Sequence, residues 1–126
     1  MAYIYEKVES LEGKDLAGTG QCVALVQSYT KAPLTSTWKE GAKVKGNTTI
    51  KKGTAIATFV NGKYPNKAHG NHGALYISQD ATGIKVMDQW STKGKIASRT
   101  LPFKGQNKDG TYIDPSNNGD AFSVIE

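Results

Sequence analysis

One cysteine and two histidines are the residues of this chain with the means to do thiol chemistry. Cys22 is the single cysteine, so no intrachain disulfide can form. A thiol of ordinary pKa, about 8.5, is only a few per cent ionised at neutral pH, and the thiolate is the nucleophile. Something local must therefore favour the anion. The surrounding segment, GTGQCVALVQ, offers it. Gly18 and Gly20 precede a run with helical spacing, predicting a helix over residues 21–31 that stops before Pro33. Cys22 then lies in its first turn, where unpaired N–H groups and the helix dipole favour negative charge and can also receive an oxyanion. The plainer reading of a cysteine at such a place is a small buried hydrophobe.

A nucleophile needs a base. His72 stands directly before the apolar run GALYIS and would be held by a strand, whereas His69 sits three residues earlier in a glycine-rich loop. Positioning comes before pKa, so His72 is the better base. A third group should accept the other ring N–H. With a hairpin turn near Ala81-Thr82, Asp88 becomes a cross-strand neighbour of His72, and Gln89 is the acceptor if the register or face differs. A zinc site from His69, His72 and either Cys22 or Asp88 is the competing arrangement. It lacks the CxxC or HExxH spacing that metal sites show, and no metal or other cofactor is expected.

The elements that must position these groups follow from the pattern of apolar residues. After the helix, residues 34–53 look irregular, with a short helical turn near Trp38. Strands are predicted at 54–60, 72–78, 84–90, 96–103 and 121–126, each bounded by Gly, Asn, Asp or Pro. The expected fold is α+β, one helix packed on an antiparallel meander of about five strands. Trp38, Tyr64 and Trp90 are the aromatic candidates to line a cleft. With Gln21, His69 and Gln89 they make up the expected substrate-binding set.

The bulk composition sets the outer bounds. A chain of 126 residues suits one domain over 1–126, with glycine frequent at 14 residues and a hydrophobic fraction of 37%. These proportions point to many turns rather than a helical bundle. The net charge of +5 favours anionic partners such as nucleic acid, membranes or cell-wall polymers. The 16 basic residues are scattered, however, and include one arginine, Arg99. Nucleic-acid readers use arginine and cluster it, which weighs against that partner. No basic start runs into an apolar stretch, and no segment reaches the ~20 apolar residues of a membrane helix. The expectation is a protein made in the cytoplasm without a signal peptide and without membrane insertion, with export by another route left open.

Taken together, GTGQCVALVQ, KKGTAIATF and NHGALYISQDATGIKVMDQW resemble the cysteine, first-strand and histidine blocks of the CHAP and NlpC/P60 peptidases. The match spans residues 18–90 and is nearest to small bacterial proteins related to type VI secretion amidase effectors. The resemblance implies a papain-like fold and cleavage of amide bonds in peptidoglycan stem peptides. It carries over Cys22 as nucleophile, His72 as base and Asp88 as the orienting group, with Gln21 preceding the cysteine as in CHAP sequences. It also implies secretion into the periplasm of a target cell and a cognate immunity protein. Two departures, Gly53-Thr54 for Gly-Asp and Gln21-Cys22 for Asp-Cys, leave the cleaved bond unassigned. The rivals are a wall-binding module without activity, a thiol hydrolase or acyltransferase acting on another substrate, and a basic nucleic-acid binder.

Overall fold

The computed structural model describes residues 2–126. Among these, one α-helix, α1 (Cys22–Thr30), accompanies six strands. They are β1 (Glu40–Lys43), β2 (Ala55–Thr58), β3 (Gly73–Gln79), β4 (Gly83–Asp88), β5 (Ala97–Pro102) and β6 (Phe122–Ile125). All pair antiparallel in one sheet of order β1-β6-β2-β3-β4-β5. The α+β expectation holds. Two details are corrected. A sixth strand, β1, lies in the stretch read as irregular, and the last strand does not extend the meander beyond β5.

Both corrections have physical causes. The β1 sequence, EGAK, carries no period-2 apolar signal because this edge strand is only partly covered. Its pairing with β6 is also irregular between Glu40 and Lys43. The β6 sequence, FSVI, is buried at every position, whereas β5 is half-exposed along most of its length. A strand buried on both faces belongs inside a sheet. β6 therefore enters between β1 and β2, and polar β5 takes the edge.

The sheet separates two apolar layers. Leu25 and Val26 of α1 pack with Leu75, Ile77, Met87 and Trp38 on one face. Ile56, Tyr76, Val86, Leu101 and Phe122 fill the other. The residues after β5 fold over this second layer and are held by Asn118, which is fully buried. Its amide bonds Lys104 N, Gly105 O and Ile113 O at 2.8–2.9 Å.

The β3–β4 hairpin sets the site. Asp80 Oδ1 accepts from Thr82 N at 2.8 Å and from its hydroxyl at 2.6 Å, closing the turn. A side chain on Gly83 would overlap the Leu101 carbonyl, so β5 can approach only a glycine there. The register pairs Leu75 with Met87 and Tyr76 with Val86. Extended by one pair, it sets Ala74 opposite Asp88. His72 and Asp88 are thus diagonal neighbours on one face, within reach of long side chains.

Candidate active site

Cys22 is the first residue of α1. Gly18 (φ 53°) and Gly20 (φ 87°) turn the chain into the helix, a backbone path that suits glycine. Gln21 takes the N-cap in extended conformation with no side-chain capping bond. Cys22 is thereby placed where the first N–H groups of a helix have no intrahelical partner.

His72 immediately precedes β3 and is buried, 5% exposed. Thr58 of β2 fixes its backbone: the Thr58 hydroxyl accepts from His72 N at 3.0 Å, and Thr58 N donates to His72 O at 3.0 Å. The ring stands edge-on to Phe122 at 6.3 Å. Its Nε2 lies 2.8 Å from Asp88 Oδ2. Asp88 is fully buried and also receives Arg99 Nε at 2.7 Å and Lys93 Nζ at 2.6 Å. Burial alone would raise its pKa, but His72, Lys93 and Arg99 outweigh that and hold the carboxyl at about 2. An ionised carboxylate only accepts, so Nε2 carries the proton that bonds it, and Nδ1 is the nitrogen left for Cys22.

Cys22 and His72 shift each other. Burial works against the Cys22 thiolate, yet the His72 hydrogen bond and charge, the Gly73 N–H and the Tyr64 hydroxyl bring the thiol pKa down. Burial likewise opposes a charged His72, and the Asp88 and Cys22 partners raise its pKa above the usual 6.5. Both shifts run toward a thiolate–imidazolium pair. Tyr64, from the loop before β3, places its hydroxyl 3.9 Å from Cys22 Sγ and accepts from Asn71 Nδ2 at 3.0 Å. Burial and the neighbouring Cys22 raise the Tyr64 pKa, keeping that hydroxyl protonated as a donor.

Two clefts meet at Cys22, Asn71 and Trp90. One, of about 460 Å³, continues past Gln21, Tyr64 and Lys67. The other, of about 400 Å³, continues past His72 and Arg99 to Ser116 and Asn117. A substrate chain can thus extend to both sides of the sulfur.

Of the expected residues, Cys22, His72 and Asp88 come together, and Gln21, Tyr64 and Trp90 line the clefts with them. Three placements are corrected. Trp38 is 3% exposed and lies beneath the site: its indole packs edge-on to Tyr64 at 5.1 Å and bonds the Pro33 carbonyl at 2.9 Å. A ring of that size is better buried in the core than left at a wet surface. His69 faces a different cleft, with Val60 and Thr111. Among the described residues no three His, Cys, Asp or Glu side chains are grouped to hold a metal ion. Gln89 is fully buried and serves as a clamp, accepting from Ala17 N at 2.7 Å and donating to Ala17 O at 2.9 Å and Gln21 O at 2.8 Å.

Lys93, Arg99, Asn71, Ser116 and Asn117 join the site without having been singled out for it. Arg99 had one visible signal, being the only arginine among 16 basic residues. A position that takes a guanidinium where lysine is the rule points to its planar fork of donors.

This sheet and helix match a solved structure described as type 6 secretion amidase effector 2 (Tae2), with a TM-score of 0.92 at 42% identity, covering 98% of this chain and 94% of that one. The chain belongs to the family of domesticated amidase effector 2, which matches residues 2–125. Among its relatives, a type VI secretion amidase effector 2 protein of Salmonella typhi is 44% identical over the whole of both chains. A domesticated amidase effector 2 of Ixodes scapularis is 36% identical over 84% of this chain and 70% of its own. The protein is an amidase-family hydrolase, acting on amide bonds.

Proposed function

We propose that residues 1–126 act as a single amidase domain that cleaves amide bonds of peptidoglycan stem peptides by thiol catalysis. The observation that carries this reading is the buried His72–Asp88 pair set against Cys22 at the start of α1. The Cys22 thiolate attacks the amide carbonyl, and the oxyanion faces the N–H groups of the first helical turn. The His72 imidazolium gives its Nδ1 proton to the leaving amine. Water then attacks the thioester, returning a proton to Nδ1 and releasing the acid and the thiolate.

The relatives' names, type VI secretion amidase effectors, support the part of the proposal that has the protein secreted into a target cell; action in its periplasm and restraint by an immunity protein belong to the proposal through the sequence resemblance. Among the described residues no helix is long and apolar enough to cross a membrane.

The test is digestion of purified peptidoglycan by the wild type and by Cys22→Ala, with the products separated by liquid chromatography and weighed by mass spectrometry. New muropeptides from the wild type alone are expected, and their masses identify the bond. Identical profiles from the two proteins would exclude thiol cleavage of the wall.

A further inference from the structure

Arg99 does more than its bond to Asp88 requires. A guanidinium has five N–H groups. Nε donates to Asp88 Oδ2 at 2.7 Å, Nη1 to Asn117 Oδ1 at 2.7 Å and Nη2 to the Ser116 carbonyl at 3.3 Å. Two N–H groups keep no protein acceptor among the described residues. Arg99 also lines the cleft that contains Cys22 and His72, about 400 Å³ in volume. The indole of Trp90 lies 5.0 Å from its guanidinium carbon, which fixes the plane of the fork.

The charge around the nucleophile points the same way. Lys93 and Arg99 place two positive charges against the one carboxylate of Asp88, leaving one unit of positive charge. The Cys22–His72 pair is neutral as a whole, with or without proton transfer between its members. Asp114, the carboxylate next along the covering loop, is paired with Lys104 at 2.8 Å and feels Arg99 more weakly, as Glu12 feels Lys93, so the excess is local to the Asp88 carboxylate. A positive excess beside a half-open cleft attracts an anion, and a planar fork with two free N–H groups suits a carboxylate.

We infer that Arg99 determines specificity by binding a free carboxylate of the substrate, on a residue beside the scissile amide, in the cleft between Trp90 and Ser116-Asn117. The inference rests on the peptide-amidase reading above and names what that substrate must carry. Arg99 then has two duties. Nε steadies Asp88, and the outer edge of the fork sets the peptide in register over Cys22.

Calorimetric binding to the Cys22→Ala protein tests the subsite without turnover. The probes are synthetic stem peptides in which each carboxylate in turn is replaced by a carboxamide. One replacement should weaken binding at least about tenfold, the worth of a charge-assisted hydrogen bond. Adding Arg99→Gln should abolish that preference. Adding Lys93→Gln removes the charge excess but leaves the fork, so the preference should shrink and stay measurable, because Lys93 also bonds Asp88 but does not line the cleft. A protein that binds all the peptides alike, binds none, or keeps its preference without Arg99 has no such subsite. Turnover of the same peptides by the enzyme with Cys22 separates the two ideas. Equal hydrolysis of the acid and amide forms overturns the subsite and keeps the amidase. Selective binding with no hydrolysis of any peptide keeps the subsite and overturns the amidase.

Discussion

Asp88 and Gln89 are adjacent at the end of β4, and one holds His72 while the other holds the chain that leads into Cys22. Asp88 bonds the His72 ring at 2.8 Å, and Gln89 bonds the carbonyl of Gln21, the residue before Cys22, at 2.8 Å. Successive residues of a strand face opposite sides of a sheet. One dipeptide can therefore orient the His72 ring on one face and anchor the helix start on the other.

Replacing Gln89 should disturb the thiol without touching it. Gln89→Leu leaves the half-buried Ala17 N–H and the Gln21 carbonyl without their partner. A stability loss of about 1–2 kcal/mol is expected by urea denaturation. The pH midpoint of iodoacetamide alkylation should also move up toward that of a free thiol. A variant that loses stability but keeps the wild-type midpoint would confine Gln89 to holding the loop.

Asp88 should prove harder to remove than an orienting group alone. Truncating it leaves Lys93 and Arg99 facing a buried vacancy, and stranding buried charge costs about 3–5 kcal/mol. Asp88→Ala is therefore expected to unfold at markedly lower denaturant. Asp88→Asn keeps the volume but loses the charge that fixes the His72 tautomer. Its turnover should drop by roughly 10²–10⁴ with a smaller change in KM. Steady-state kinetics on a soluble stem peptide would show the split, and an equal loss in KM would assign Asp88 to binding.

The pH dependence has two separable parts. The Asp88 pKa falls from 3.8 to about 2 on folding, so its contribution to stability is complete above 3.8 and lost as pH drops through about 2. That contribution is roughly 2 kcal/mol. Other carboxylates are lowered too, so the step is isolated as the difference between wild type and Asp88→Asn in denaturation at graded pH. His72 runs the other way. Its raised pKa stabilises the fold below 6.5, and this contribution disappears as pH rises through the folded value. Activity should fall on the acid side as the Cys22 thiolate is protonated and on the alkaline side as the His72 imidazolium is lost. A rate that climbs steadily with pH, following a free thiol, would mean the pair does not form.

Much of the site is legible in the sequence because its core is local. The glycines before Cys22 and the apolar run after His72 each announce an element, and the short Asp80–Gly83 turn brings Asp88 near. Arg99, Ser116 and Asn117 are not legible as partners. They reach the cleft from β5 and the long covering loop, and no short-range pattern encodes that meeting. Trp38 and Gln89 illustrate a different limit. Their types fit a cleft, and burial, which a single sequence does not display, turns them into supports. β1 is missed because a half-wet edge strand has no apolar alternation to show.

Gly53 links the N-terminal segment to this frame. It has φ 92°, and a side chain there would collide with the Tyr5 carbonyl. Gly53→Ala should cost about 2–4 kcal/mol through strain and displacement of that segment. Tyr5 N bonds Gly53 O at 2.9 Å, and the Tyr5 ring packs on Tyr29 of α1 at 5.0 Å. Faster hydrogen exchange at the Tyr5 and Ala55 amides is expected, with the alkylation midpoint unmoved. A shifted midpoint would mean that the segment tunes the thiol through α1.

The place of β6 has a consequence for how the enzyme comes into being. It is the last strand in chain order, yet it joins β1 to β2 and carries Phe122 against the His72 ring. A nascent chain leaves the ribosome with its leading end first. All five earlier strands can have emerged while β1 still lacks its partner and β2 is open on one side, and such long-range pairing is slow to form. The His72 ring therefore reaches its final setting only after β6 has emerged. Growing copies still short of Phe122 lack one wall of the pocket in which the imidazole stands.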